Sequence, residues 1–480
     1  MAEALLGKND YSLVPQHILH EYAGLDADAT KRVYLSLKKL FKKESELYSY
    51  YKGYAKVLLR NLMYSSIVGM HVDRSKLENI TEDFTEYIHN LEKRILERVG
   101  RDFNIQSGKQ LGTILYKEMK FPVVKNTEGG LPSTDKETLQ TLWEKTNDTF
   151  VRDLIERKQL QDCLTRQVEG IERFMDADDT IHPAYKLYGT VSGRVSAERP
   201  PSTTVPRDRD YTFLGEPISV NIRDFYTAPK GYDFGFADIR QAELVVIAIV
   251  SGDEEMLRLI NSRTDIHEGT ARSVLEKMGV LKPGEKVSPE QRRTAKTVNF
   301  AIIYGGSAEG TAAKTGTSVE AITEFMQGHR RTFKGIWRYK ESLPAIAAEI
   351  GYVESPFGRR RRVLPYTSRG DTEISGRSER QIVNYIPQNC AAEVTYRSLN
   401  RICARFKKEN IDGWPINTVY DSIEFIWKKE QRNKAKRIVL EEMLRPVPEL
   451  DNFSFSISFG VSRSWGEAEK AAEDIFELEH

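Results

Sequence analysis

Tyr232-Asp-Phe-Gly-Phe-Ala-Asp-Ile-Arg-Gln-Ala-Glu-Leu244 begins with alternating apolar residues and runs into an unbroken apolar stretch that reaches Val250. The alternation predicts a β-strand on which Phe234, Phe236 and Asp238 point the same way. The stretch from Ala242 to Val250 predicts a helix buried on almost every side. Asp238 and Glu243 then fall at a strand-to-helix corner, at the edge of a core. A similar place recurs at Ile416-Asn-Thr-Val-Tyr-Asp-Ser-Ile-Glu-Phe425. There Asp421 sits at a turn between two strand-like runs, Ile416–Tyr420 and Ile423–Trp427. A lone aspartate at a turn is usually a turn former, so each residue means little alone.

Between them lies Arg292-Arg-Thr-Ala-Lys-Thr-Val-Asn-Phe-Ala-Ile-Ile-Tyr-Gly-Gly306. Ser288-Pro-Glu-Gln291 opens a helix well: Ser288 can cap it, Pro289 suits its first turn, and Gln291 completes a capping box. Gly305 and Gly306 can end it. Arg292, Lys296, Phe300 and Tyr304 are spaced by four and share one slowly drifting face. Two cations followed by two aromatics suit a triphosphate, a sugar and a base. By itself this is also how a solvated amphipathic helix looks. Two aspartates bracketing it favour the first reading, because Mg²⁺ takes one or two carboxylates and completes its shell with water and substrate phosphates.

The chain has 480 residues, which predicts two to four subdomains. Its net charge of +1 means that any nucleic-acid surface must come from local clustering of Lys and Arg. No apolar run is long enough to span a membrane and no signal peptide opens the chain, so a cytoplasmic location is expected. Cys163, Cys390 and Cys403 are odd in number and far apart, which argues against a disulfide framework or a zinc site. Leu478-Glu479-His480 reads as the start of a purification tag. Helical, charged segments fill residues 44–180, strands and helices mix over 182–250, helices dominate 253–385, and strands return from Asp412 with a helix near Gln431–Leu444.

These motifs, in this order, resemble the polymerase portion of family A DNA polymerases, the DNA polymerase I group. The likeness runs from about residue 15 to residue 465. Asp238-Ile-Arg-Gln-Ala-Glu-Leu244 resembles the family's first carboxylate motif. The 292–305 segment matches the fingers-helix motif at each fixed position, and Val419-Tyr-Asp-Ser422 resembles the second carboxylate motif. Further matches are Gly189-Thr-Val-Ser-Gly-Arg194, Asp265-Ile-His267, Gly351-Tyr-Val-Glu354 with Gly358-Arg-Arg360, and Arg380 with Asn384 and Gln388.

The resemblance implies an α+β right-hand fold with an antiparallel palm sheet, helical fingers and a helical thumb. It implies an exonuclease remnant over 1–44, palm over 45–75, 182–250 and 391–480, thumb over 76–181, and fingers over 251–390. It implies two Mg²⁺ ions on Asp238 and Asp421. Arg292, Lys296 and His267 would meet the incoming triphosphate and neutralise its charge, with Lys296 also catalytic. Phe300 would pack on the sugar, Tyr304 would gate the template base, and Glu243, beside Gln241, would exclude a ribose 2′-hydroxyl. Arg194, Arg380, Asn384, Gln388 and Tyr420 would hold the primer-template end. The implied partners are primer-template DNA and dNTPs, with the chain a monomer.

Three positions depart from the family pattern. Tyr420 stands for the usual His, Ser422 for the usual Glu, and Ala301 for a common Gly. Ser422 removes a charge near the metals. Glu424 shares its strand face, but as a strand glutamate it is expected to be solvated. Tyr22-Ala-Gly-Leu-Asp26 resembles the last proofreading motif, yet the 21 residues before it hold no Asp-x-Glu, so no proofreading is expected from this chain. Residues 133–193 carry no long insertion, which disfavours a thioredoxin-binding loop. Two rivals remain at this point. A single-subunit RNA polymerase is opposed by Glu243, and a catalytically dead DNA-binding relative is opposed by Asp238, Lys296 and Asp421.

Overall fold

The structure, a computed structural model, describes residue 12 and residues 14–127, 129–206, 209–363 and 372–477. The tag-like Leu478–His480 lies outside the described residues. Helix α1 (Gln16–Lys43) carries Tyr22 and Asp26 and buries none of its residues. Helix α2 (Lys56–Val68) sends Leu58 and Leu62 into the main core. Helix α3 (Arg74–Val99) follows from its pattern: Leu77, Ile80, Phe84, Ile88, Leu91 and Ile95 recur every three or four residues and form one buried stripe. Asp73 caps its start and Gly100, at φ 76°, closes its end. Helix α4 (Thr149–Cys163) packs along it, tied by Arg157–Glu92 at 2.6 Å and Arg94–Asp153 at 2.9 Å. Beyond the sheet their ends join Leu111, Ile114, Leu139 and Leu142 in a separate apolar cluster. This cluster falls in the segment that the resemblance assigns to a thumb.

The rest of the chain alternates as follows: strand β1 (Tyr232–Ile239), helices α5 (Ala242–Ser251), α6 (Ile266–Lys277), α7 (Pro289–Tyr304), α8 (Val319–Thr332), α9 (Lys334–Ile350) and α10 (Thr372–Lys408), then β2 (Gly413–Val419), β3 (Ser422–Lys428), α11 (Arg432–Met443), β4 (Ile457–Ser462), α12 (Trp465–Lys470) and β5 (Glu473–Ile475). The strands form one antiparallel sheet in the order β2-β3-β1-β4-β5. The fold is α+β, as expected. Both sheet faces are buried. Ala237, Ile239, Phe425 and Trp427 meet Leu399, Ile402 and Phe406 of α10 on one face. Phe234 and Phe236 meet Phe84, Tyr226 and Trp465 on the other. Gly235 is required here, because a Cβ at that position would lie 2.0 Å from the Trp427 ring.

Helices α5 to α9 build their own apolar cluster from Leu244, Ile247, Val274, Val298, Ile302 and Phe325. Helix α7 has the anticipated capping box at Ser288 and Gln291, Pro289 in its first turn, and Gly305 at φ 68° past its end. A cap contributes about 1 kcal/mol, whereas each large buried side chain contributes roughly 1.5–3 kcal/mol. Packing of Val298, Ile302 and Ile303 therefore holds the helix and the cap sets its start. The division at 390/391 falls inside α10, which stays continuous because Ile382, Val383, Ile386, Val394, Leu399 and Phe406 are buried along its length.

Candidate active site

The sheet, α5 and α7 converge on a cavity of about 620 Å³ lined by Arg194, Asp238, Gln241, Glu243, Asp265, His267, Arg292, Lys296, Phe300, Tyr304, Tyr420 and Asp421. Strand pairing explains how its two aspartates meet. Ser422 of β3 lies opposite Asp238 of β1, so the residue before Ser422 stands beside the end of β1. There the Asp421 carbonyl accepts from Ile239 N–H at 3.1 Å. The β2–β3 turn is tight, with Tyr420 at φ 56°, a left-handed conformation that costs a side-chain-bearing residue about 1–2 kcal/mol. Gln241, at φ 52°, makes the corner from β1 into α5 and starts the helix that bears Glu243.

Asp421 Oδ1 is buried and has no hydrogen-bond partner among the described residues. Burial pushes the Asp421 carboxyl up to about 7; Arg194 opposes the shift, while Asp238 and Glu243 add to it. Crowded carboxylates with an unpartnered buried oxygen are the donor set that a hard divalent cation accepts.

Facing them, α7 presents Arg292 and Lys296, then Phe300 and Tyr304, whose rings stack at 6.2 Å. Arg292 donates to Asp265 at 2.6 Å. Glu243 is almost wholly buried and ties two walls together: Arg194 donates to its Oε1 at 2.5 Å and Tyr304 to its Oε2. Arg194 also lies 5.0 Å over the ring of Tyr420.

His267, expected to meet the triphosphate, lines the same cavity. Burial pulls its imidazole down to about 4; Asp265 opposes this, and Lys296 and Arg292 reinforce it. It meets the cavity as a neutral group. Its Nδ1 is 3.2 Å from Asn299 Nδ2, which is also 3.1 Å from Thr270 Oγ1. Asn299 Oδ1 is 3.1 Å from His329 Nε2, and Trp337 Nε1 donates to His329 Nδ1 at 3.1 Å.

Arg380, Asn384 and Gln388 do not line the cavity. They follow one another every four residues on α10, and Arg380 packs where a side chain at Gly305 would be, within 2.3 Å. The same helix reaches the Arg194 turn through Asn389, which donates to Ser192 O at 3.0 Å. The expectation for Glu424 is overturned. It is fully buried, its carboxyl is pushed up to about 8 chiefly by that burial, and it lies 2.5 Å from Ser422 Oγ. A strand with both faces covered leaves no solvated side for it. Sequence reading also missed Asn299, His329 and Trp337. Asn299 stood in the quoted motif, while His329 and Trp337 gave no signal.

The profile of DNA polymerase family A matches residues 74–467, most of the chain. The chain belongs to DNA polymerase family A. It is 28% identical to DNA polymerase I of Treponema pallidum over 95% of this chain and 44% of that relative. It is 28% identical to DNA polymerase I of Bacillus subtilis over 97% of this chain and 51% of that one. The chain thus spans about half the length of these curated relatives. Among solved structures it is similar to the POL domain of Pol1 from M. smegmatis in complex with a DNA primer-template and dNTP. The TM-score is 0.76 and the identity 26%, covering 86% of this chain and 70% of that one. Among the described residues of this family A chain, no helix is long and apolar enough to cross a membrane. All three cysteines are buried and free.

Proposed function

We propose that this chain is a template-directed DNA polymerase that adds dNTPs to a primer 3′-hydroxyl by phosphoryl transfer with two Mg²⁺ ions, acting as a monomer and without proofreading of its own. The observation that carries the reading is the single cavity in which Asp238 and Asp421 face Arg292 and Lys296. Carboxylates on one wall and cations on the other suit a metal-bound triphosphate. Membership of the family adds to this reading, as does likeness to a polymerase domain that holds primer-template and dNTP.

Asp238 and Asp421 would hold the metal, Asp421 through its unpartnered Oδ1. Bound there, Mg²⁺ supplies Lewis-acid activation of the attacking hydroxyl and charge stabilisation at the leaving pyrophosphate. Arg292 and Lys296 meet the phosphates and stabilise the charge that develops on them. Arg292 must share or release Asp265 to do so. Phe300 packs against the sugar, and Tyr304 covers the template-base position. Glu243 occupies the space of a ribose 2′-hydroxyl, held there by Arg194 and Tyr304.

Primer extension with Mg²⁺ and either dNTPs or rNTPs tests this. Extension with dNTPs and little with rNTPs is expected. Efficient extension with rNTPs would favour an RNA polymerase, and binding of primer-template with no extension by either would favour an inactive DNA-binding relative.

A further inference from the structure

We propose that Trp337, His329 and Asn299 form a hydrogen-bond relay that holds His267 as its Nε2–H tautomer, a fixed neutral donor for the phosphates of the incoming nucleotide. The part about nucleotide rests on the polymerase reading. The relay itself does not.

Its direction follows from counting donors at both ends. Indole Nε1–H can only donate, so His329 Nδ1, 3.1 Å away, must accept. A neutral His329 then carries its proton on Nε2 and donates it to Asn299, which fixes the amide oxygen on that side. The opposite end gives the same orientation independently. Thr270 Oγ1 gives its only proton to Ile266 O at 2.8 Å. It can therefore only accept from Asn299, and the amide nitrogen must lie on that side. That nitrogen also faces His267 Nδ1, which accepts, leaving the proton on Nε2. No member can be reversed without leaving a buried polar atom unpaired, since His267, Thr270, Asn299 and His329 are each at most 4% exposed.

The charge state agrees. Asp265 favours an imidazolium at His267, but burial, Lys296 and Arg292 oppose it. Burial and Lys340 hold His329 neutral. A third cation beside Arg292 and Lys296 would repel both. A neutral N–H adds a directed hydrogen bond without that repulsion. Trp337 is thus a positioning residue. It lies on α9, outside the cavity lining.

The test uses the full chain labelled with ¹⁵N at histidine. Long-range ¹H–¹⁵N spectra, assigned with His267→Gln and His329→Gln, report which ring nitrogens are protonated. The wild type should show His267 protonated on Nε2 alone, and unchanged between about pH 5.5 and 8. Trp337→Phe should mix the tautomers of both histidines and raise the dNTP KM about three- to tenfold, with kcat within about twofold. Asn299→Asp, nearly isosteric, should convert His267 to imidazolium at neutral pH. A wild-type His267 protonated on Nδ1, or unchanged His267 signals in both variants, would overturn the relay. A correct spectrum in a chain that extends no primer would sustain the relay and defeat the polymerase reading.

Discussion

Ser422 Oγ lies 2.5 Å from Glu424 Oε1 and 3.0 Å from the carbonyl of Val419. One hydroxyl proton cannot serve both acceptors. The contacts are consistent when Glu424 is protonated and donates to Ser422, which in turn donates to Val419. That chain closes the β2–β3 turn holding Tyr420 and Asp421. Removal of a charge at Ser422 and burial of an acid two residues on are therefore one structural feature.

A buried acid held protonated makes stability depend on pH. Burial raises the Glu424 carboxyl to about 8, with Ser422 and Arg223 opposing and Asp238 and Glu469 adding. The unfolded chain releases this proton at an ordinary glutamate pKa. The native state binds the extra proton between the two values, so stability is lost as pH rises through the folded value. Glu424→Gln keeps a neutral donor and has nothing to ionise. Thermal melts at about pH 6 and pH 9 should show the wild type falling further than Glu424→Gln. Parallel loss in both proteins would show that Glu424 does not titrate as argued.

The two aspartates should separate chemistry from DNA binding. Asp238→Ala or Asp421→Ala should lower nucleotide addition by about a thousandfold or more. Primer-template affinity should stay within about threefold, because phosphate contacts by Lys and Arg dominate it. Rapid-quench extension and fluorescence-anisotropy titration measure the two quantities. Near wild-type extension in either variant would remove that aspartate from the metal site.

Proofreading should be absent. Incubated with a 3′-labelled mismatched primer and Mg²⁺ but no dNTP, the chain should leave the primer at full length. Tyr22 and Asp26 lie on α1, which buries none of its residues, so neither stands in an enclosed site. Shortened primer from a preparation free of contaminating nucleases would reveal an exonuclease site elsewhere.

Local patterning made much of this legible in advance. Alternation at 232–239 gave β1, the apolar run gave α5, and Ser288, Pro289 and Gln291 gave the start of α7. Spacing by four placed Arg292, Lys296, Phe300 and Tyr304 on one wall. The meeting of Asp238 with Asp421 was implied by motif order and by resemblance, not by local pattern, because strand register across nearly two hundred residues leaves no local trace. Glu424 was misread because period-two alternation marks a solvated face only when one side of the sheet is open, and here α3 and α12 cover it. His329 and Trp337 were invisible for a related reason. Each looks like an ordinary helix residue until α8 packs on α6 and α9 on α5.

Sugar selection is the sharpest remaining test, because two neighbouring residues should act on different hydroxyls. Glu243 is held by Arg194 and Tyr304, and the Phe300 ring stacks on Tyr304 and lies 5.8 Å from His267. Glu243→Ala opens the space for a 2′-hydroxyl, so rNTP use should rise relative to dNTP. It also strips Arg194 of a buried partner, so absolute rates should fall, and the ratio of kcat/KM values is the proper readout. Phe300→Tyr places a hydroxyl near the 3′ side of the sugar. It can replace the partner that a dideoxynucleotide lacks and relax that rejection by about 1–3 kcal/mol. Comparing kcat/KM for dNTP, rNTP and ddNTP in both variants separates the effects. An unchanged rNTP to dNTP ratio in Glu243→Ala would refute the steric role, and the argument against an RNA polymerase would weaken with it.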